Sequence, residues 1–190
     1  LTPTLVTDNE EEARVFFNKA IKEGHEGLIA KSPSGKYRPG RRGKEWLKIK
    51  PAETLDTVIL AADWGSGRRH NWLSNYHLAV RDAGTNEFLV IGKTFKGLTD
   101  DEFEYMTSRL RGLKTDEIGN TFYVRPEIVV EVAFDEVQMS PHYRSGYALR
   151  FARIIRIRED KSPNDADTLD RVREIYEAMF RRKARPSSAA

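Results

Sequence analysis

The spacing of apolar residues follows a helical period at the start of this chain and an alternating one over most of the rest. Phe16, Phe17, Ala20 and Ile21 recur at helical spacing after a capping-box-like start at Asp8 and Glu11, and Gly24 supplies a stop, which predicts a helix over residues 9–23. The short apolar run Gly27-Leu28-Ile29-Ala30 reads as a buried strand. Ser32-Pro33-Ser34-Gly35 and a basic stretch to Gly43 then read as a surface loop. Trp46 to Lys50 alternates with period two and Pro51 ends it, so Lys48 and Lys50 leave one face of a strand.

Beyond residue 55 the alternation predicts three strands near 56–64, 75–82 and 87–94, separated by turns rich in glycine. Thr99 and Glu102 form a second capping-box signal. Phe103, Met106 and Leu110 then mark the apolar face of a helix that Gly112 closes. Two further strands are expected near 127–137 and 150–158, and a helix over 165–180. Three strands, a helix and two strands are the order an oligonucleotide-binding (OB) barrel requires, with a barrel of six or more strands as the structural alternative. The charged and Pro/Ser/Ala-rich segment 181–190 reads as a disordered tail. The expected organisation is an N-terminal piece over 1–52, the barrel over 53–163, and a helix with tail over 164–190. The fold class is mainly β with α (α+β).

Composition narrows the function. The chain has 190 residues, 39% of them hydrophobic and 32% charged, as expected of a water-soluble globular protein. It has no cysteine, which excludes disulfides, thiolate metal sites and a Cys nucleophile. No run approaches the roughly 18 apolar residues of a membrane span, so an intracellular, cytoplasmic protein is expected. The net charge is +3 and the pI about 9.1, but the excess is local. Lys31, Lys36, Arg38, Arg41, Arg42 and Lys44 precede the Lys48/Lys50 pair, with Glu45 the only acid after Glu26. A solvated strand face would explain a lone pair of lysines; so one-sided a run suits phosphate.

Glu26, beside Gly27, lies where a ligand could approach the backbone. Its carboxylate suits a metal ligand, a ribose acceptor, or an ion pair with a nearby cation. Arg68, Arg69 and Trp72 sit in the first barrel loop, a segment that often meets nucleic acid in OB folds, although Trp72 packed beneath a solvated tip is the competing reading. The four histidines show no metal-ligand spacing, and Gly65-Ser66-Gly67 is a turn rather than a P-loop.

Three segments carry a resemblance. Glu26-Gly27-Leu28-Ile29-Ala30-Lys31 resembles the fourth nucleotidyltransferase motif of ATP-dependent DNA ligases, and Trp46-Leu47-Lys48-Ile49-Lys50 resembles their fifth. Arg150 to Lys161 resembles their sixth, with its R-x-D-K ending at Arg158, Asp160 and Lys161. The text between, including Trp64 to Arg69 and Gly92 to Leu98, is similar to bacterial and archaeal members. The resemblance implies a C-terminal piece of the nucleotidyltransferase (adenylation) domain followed by a five-stranded OB barrel with one inserted helix and a C-terminal helix. It implies ATP as AMP donor, Mg2+ as cofactor and nicked duplex DNA as substrate, in replication, repair or recombination.

It further implies that Glu26 helps bind the metal, that Lys31, Lys48 and Lys50 belong to the nucleotide site, and that Lys48 and Lys50 contact the α-phosphate. Arg158, Asp160 and Lys161 would orient the pyrophosphate leaving group, the barrel closing over the nucleotide about a pivot at 51–55. Arg41, Arg42, Arg68 and Arg69 would contact DNA. The family's nucleophilic lysine lies in a K-x-D-G motif that occurs nowhere in this sequence. A piece of a longer, monomeric enzyme, itself inactive in self-adenylation and partnered by the missing N-terminal part, is therefore expected. An independent nucleic-acid-binding OB module, or a capping enzyme or RNA ligase, are the competing readings.

Overall fold

The computed structural model describes residues 2–35 and 45–184. It separates into two compact units, one containing Leu1–Pro51 and the other Ala52–Arg181.

In the first unit, helix α1 (Glu10–Lys22) starts one residue later than the sequence pattern suggests. The cap is Asn9 rather than Asp8: its Oδ1 accepts from the backbone N–H groups of Glu11 and Glu12 at 2.8 and 3.3 Å. Asn9 has the extended backbone that a cap needs, and Thr7 completes the start by donating to the Glu12 carboxylate at 2.6 Å. Strands β1 (Leu28–Lys31) and β2 (Trp46–Ile49) form an antiparallel hairpin in which Ile29 faces Lys48 and Lys31 faces Trp46.

The second unit is built around β3 (Glu53–Trp64). Twelve residues let it pair with three strands, one of them Thr121–Val124 beside Ala61 to Asp63. Glu53 to Val58 run beside β8 (Val129–Phe134), and Val58 to Trp64 beside β4 (Leu73–Arg81). β5 (Phe88–Thr94) extends the sheet past β4, and β11 (Arg153–Ile157) extends it past β8, giving the five-strand antiparallel path β11-β8-β3-β4-β5. The two ends of that path meet. Thr94 Oγ1 donates to the Ala152 carbonyl at 2.6 Å, and the Ile154 N–H donates to the Lys96 carbonyl at 2.9 Å. Gly97 makes this approach possible: its φ is +106°, and a Cβ there would stand 1.9 Å from the Ile154 oxygen. The result is the expected five-stranded OB barrel.

Helix α2 (Asp100–Gly112) has both arms of the capping box at Thr99 and Glu102, and buries Phe103, Met106 and Leu110 in the barrel core with Ile59, Tyr76 and Val130.

Four features depart from the sequence expectation. The strand expected over 127–137 is broken at Asp135 into β8 and β9 (Glu136–Met139). The one over 150–158 is broken near Phe151, at φ +55°, into β10 (Tyr147–Arg150) and β11. β9 and β10 pair as their own hairpin. Between α2 and β8 a hairpin of β6 (Lys114–Ile118) and β7 (Thr121–Val124) was not anticipated, because β6 is exposed at every position and has no apolar alternation to read. The C-terminal helix α3 (Leu169–Ala184) begins after a 3₁₀ turn at Pro163–Asp165 and runs into the segment expected to be a tail.

Candidate active site

The β1–β2 hairpin brings three of the sequence-predicted site residues together. Lys48 Nζ lies 3.0 Å and Lys50 Nζ 3.7 Å from the same oxygen of Glu26, Oε2. Gly27 permits the geometry, though not by admitting a ligand: with φ +149°, a Cβ there would stand 2.0 Å from the backbone oxygen of Ile49 on the facing strand. The Lys48 hydrogen bond, and then the charges of Lys48 and Lys50, hold the Glu26 carboxyl below its ordinary pKa. All three side chains are about half exposed, so their charges face solvent in an accessible cluster. Lys31 does not join them; its ammonium lies 4.3 Å from the centre of the Trp46 ring.

No group of three or more His, Asp or Glu side chains is placed for a metal among the described residues. Mg2+ commonly takes only one or two carboxylates and completes its octahedron with water and substrate phosphates, so a single glutamate fits such a site.

In the second unit Arg158 and Lys161 of the R-x-D-K ending converge on a residue that the sequence reading missed. Arg158 Nε and Nη2 donate to the two oxygens of Asp160 at 2.8 and 2.6 Å. Its third nitrogen, Nη1, donates to Asp56 at 3.0 and 3.3 Å, and Lys161 Nζ donates to Asp56 Oδ2 at 2.6 Å. The bidentate pair with Arg158 pulls the Asp160 carboxyl far below the ordinary range, and raises the guanidinium pKa in turn. Glu159 turns the other way and accepts from Tyr105 at 2.8 Å and from Arg109 of α2. Local sequence gives no signal for Asp56, which meets Lys161 across 105 positions.

A second network was also missed. Asp63 of β3 accepts from Thr121 Oγ1 at 2.7 Å, Asn75 Nδ2 at 2.9 Å and Lys93 Nζ at 3.2 Å, and pairs with His77 Nε2 at 3.0 Å. Burial raises the Asp63 pKa, but these partners outweigh it and the net shift is downward; burial also lowers the pKa of His77. The alternating positions of adjacent strands put these groups on one sheet face.

The two basic residues of the first barrel loop differ. Arg68 is 75% exposed and pairs with Asp100 at 3.0 Å. Arg69 packs its guanidinium 4.2 Å from the Phe103 ring and donates to the Phe95 carbonyl at 3.1 Å. Trp72 stacks on Phe103 with centroids 6.1 Å apart, in agreement with its reading as a packed residue. Arg41 and Arg42 lie outside the described residues.

The fold is a small helix-and-hairpin unit and a separate barrel unit, each with its own charged cluster, and comparison with known proteins gives the family. Residues 1–50 match the ATP dependent DNA ligase domain, and residues 69–161 match the ATP dependent DNA ligase C terminal region. DNA ligase 1 of Korarchaeum cryptofilum is 56% identical over 182 residues, which cover 96% of this chain and 34% of that protein. A probable DNA ligase of Anaeromyxobacter sp. (strain K) is 55% identical over 92% of this chain and 34% of its own length. Among solved structures, the ligase domain of M. tuberculosis LigD is 28% identical with a TM-score of 0.52, over 79% of this chain and 50% of that one. The chain belongs to the ATP-dependent DNA ligases. It spans about a third of the length of the curated relatives it matches.

Proposed function

We propose that this chain is the C-terminal part of an enzyme that seals nicks in duplex DNA, through an enzyme-adenylate and a DNA-adenylate, in replication, repair or recombination. Residues 1–52 form the end of the adenylation domain, 53–163 the OB domain, and 164–190 a C-terminal extension. The observation that carries this reading is the convergence of Lys48 and Lys50 on Glu26 within the segment matched to the ligase domain. A binding module needs no such cluster; a nucleotide site does. The hairpin also leaves Ile29, Trp46, Leu47 and Ile49 exposed, which suits a sheet completed by further chain.

In the first step a lysine outside this sequence attacks the α-phosphorus of ATP. A nitrogen–phosphorus bond forms, and the bond from that phosphorus to the β-phosphate bridging oxygen breaks to release pyrophosphate. Lys48 and Lys50 hold the α-phosphate and neutralise charge on it, and Arg158, Asp160 and Lys161 orient the departing pyrophosphate. Mg2+ bound with Glu26 would supply further neutralisation of the phosphates. AMP then passes to the 5′-phosphate of the nick, and attack by the 3′-hydroxyl releases it. The chain alone, lacking the nucleophile, does not self-adenylate. The complete enzyme acts as a cytoplasmic monomer.

The test separates the steps in the complete ligase. Lys161→Ala should slow adenylation measured with labelled ATP, while joining of a pre-adenylated nick stays close to wild type. Equal losses in both would remove the pyrophosphate role.

A further inference from the structure

Asp56 belongs to none of the three motifs, yet it is the residue that Arg158 and Lys161 share. Its carboxylate is largely buried, at 13% exposure, and each oxygen has a defined partner: Oδ1 takes Arg158 Nη1 at 3.0 Å, and Oδ2 takes Lys161 Nζ at 2.6 Å. The backbone beneath is fixed from both sides. Asp167 Oδ2 accepts the Asp56 N–H at 2.8 Å, and the Asp167 N–H donates to the Asp56 carbonyl at 2.9 Å. The opposite end of the cluster is fixed where the Arg158 N–H meets the Val129 carbonyl of β8 at 2.8 Å. An anion so held can set the position of whatever it binds.

Its two partners differ in exposure. Every nitrogen of the Arg158 guanidinium is engaged by Asp160 or Asp56, and the side chain is 13% exposed. Lys161 is 29% exposed and Asp160 65% exposed, and the bond to Asp56 takes one of the three N–H donors of the Lys161 ammonium. A purely structural ion pair has no need to leave its lysine and second carboxylate at the surface. Two cations so close also repel, and one shared carboxylate between them fixes their separation.

We propose that Asp56 is a positioning residue for adenylation: its carboxylate, braced by the buried Arg158, fixes the place and direction from which Lys161 meets the pyrophosphate leaving group. The inference rests on the role proposed above for Lys161. Asp56 itself touches neither ATP nor DNA. Its effect is on charge that develops as the phosphorus–oxygen bond breaks, so its loss reduces turnover more than ATP affinity.

The experiment uses the complete ligase, with Asp56→Asn, Asp56→Glu and Lys161→Ala measured side by side. Adenylation is followed with labelled ATP over a range of concentrations, joining with AMP-capped nicked DNA, and stability by thermal melting. Asp56→Asn should lower kcat for adenylation roughly tenfold or more, the scale on which misplacement by about 1 Å acts, with the KM for ATP and the joining rate changed far less. Asp56→Glu keeps the charge balance but moves the anion by one methylene, and should show the same selective loss at near-normal melting temperature. If Asp56→Asn does not fold, the glutamate variant alone decides. Unchanged or faster adenylation, or equal loss in both steps, overturns the positioning role. If Lys161→Ala is step-selective in that same experiment, only the Asp56 inference falls; if Lys161→Ala is not, the reading beneath it falls as well.

Discussion

Glu26 and Lys48 are 22 positions apart in sequence and 3.0 Å apart in space, and Lys50 approaches the same carboxylate oxygen. The antiparallel register of β1 and β2 produces this meeting, since it sets Leu28 opposite Ile49 and so brings Glu26, just before β1, to the end of β2, where Lys48 and the following Lys50 lie. A carboxylate held by two ammonium groups keeps its charge to a lower pH than an unpaired one.

The first prediction concerns that pair. Lys48→Ala should raise the Glu26 pKa toward the ordinary carboxylate value, observed by carboxyl NMR titration. It should change stability by no more than about 0.5 kcal/mol, because both groups are half exposed and screened by solvent. The small contribution of Glu26 is present above its unfolded pKa and lost as pH falls through the lower folded one. An unmoved Glu26 titration would mean that the pair does not persist in solution.

The second separates two neighbouring arginines. Arg68, exposed and paired at the surface, is expected to contact DNA phosphate. Arg68→Ala should weaken binding to nicked duplex uniformly across sequences and reduce the salt slope by about one, with little change in melting. Arg69 is held by the Phe103 ring and the Phe95 carbonyl, so Arg69→Ala should cost about 1 kcal/mol of stability. Titration at two salt concentrations with thermal melts of both variants checks it, and the reverse pattern would exchange their roles.

The third concerns pH. His77 has a folded pKa below its ordinary 6.5, so the unfolded chain takes up its proton first. Its contribution is present above that value and fades as pH falls toward the folded one; Asp63, also depressed, adds a further loss at lower pH. Melting temperature should therefore fall between about pH 7 and about pH 5, and His77→Gln should flatten that part of the curve. Asp63→Ala should cost about 1 to 2 kcal/mol, since it leaves partly buried donors without their acceptor. A melting temperature independent of pH over that range in the parent protein would rule out this account of His77.

The elements with strong local signals were legible in the sequence. Both signals of the Thr99–Glu102 capping box lie within four residues, and β3, β4 and β5 alternate because one face of each lies in the core. The hairpin of β6 and β7 was not legible. β6 is an exposed strand held by its partner's backbone, and exposed positions impose no apolar period. The breaks at Asp135 and Phe151 were hidden for the opposite reason, since apolar residues continue on both sides while the chain leaves one sheet and enters another.

By itself the sequence determined the capped helix α2, the alternating strands β3, β4 and β5, the basic run before the lysine pair, and the motif residues that mark the family. All of these depend on residues close together in the chain. Only the tertiary structure decided which charges meet. Asp56 faces Arg158 and Lys161 because β3 pairs with β8, β8 with β11, and the turn after β11 folds back onto the start of β3. Asp63 gathers His77, Lys93 and Thr121 because three different strands bring them to one face. Pairing across a sheet is set by register between distant segments, and a carboxylate in a sequence does not carry the identity of the cation it will find there.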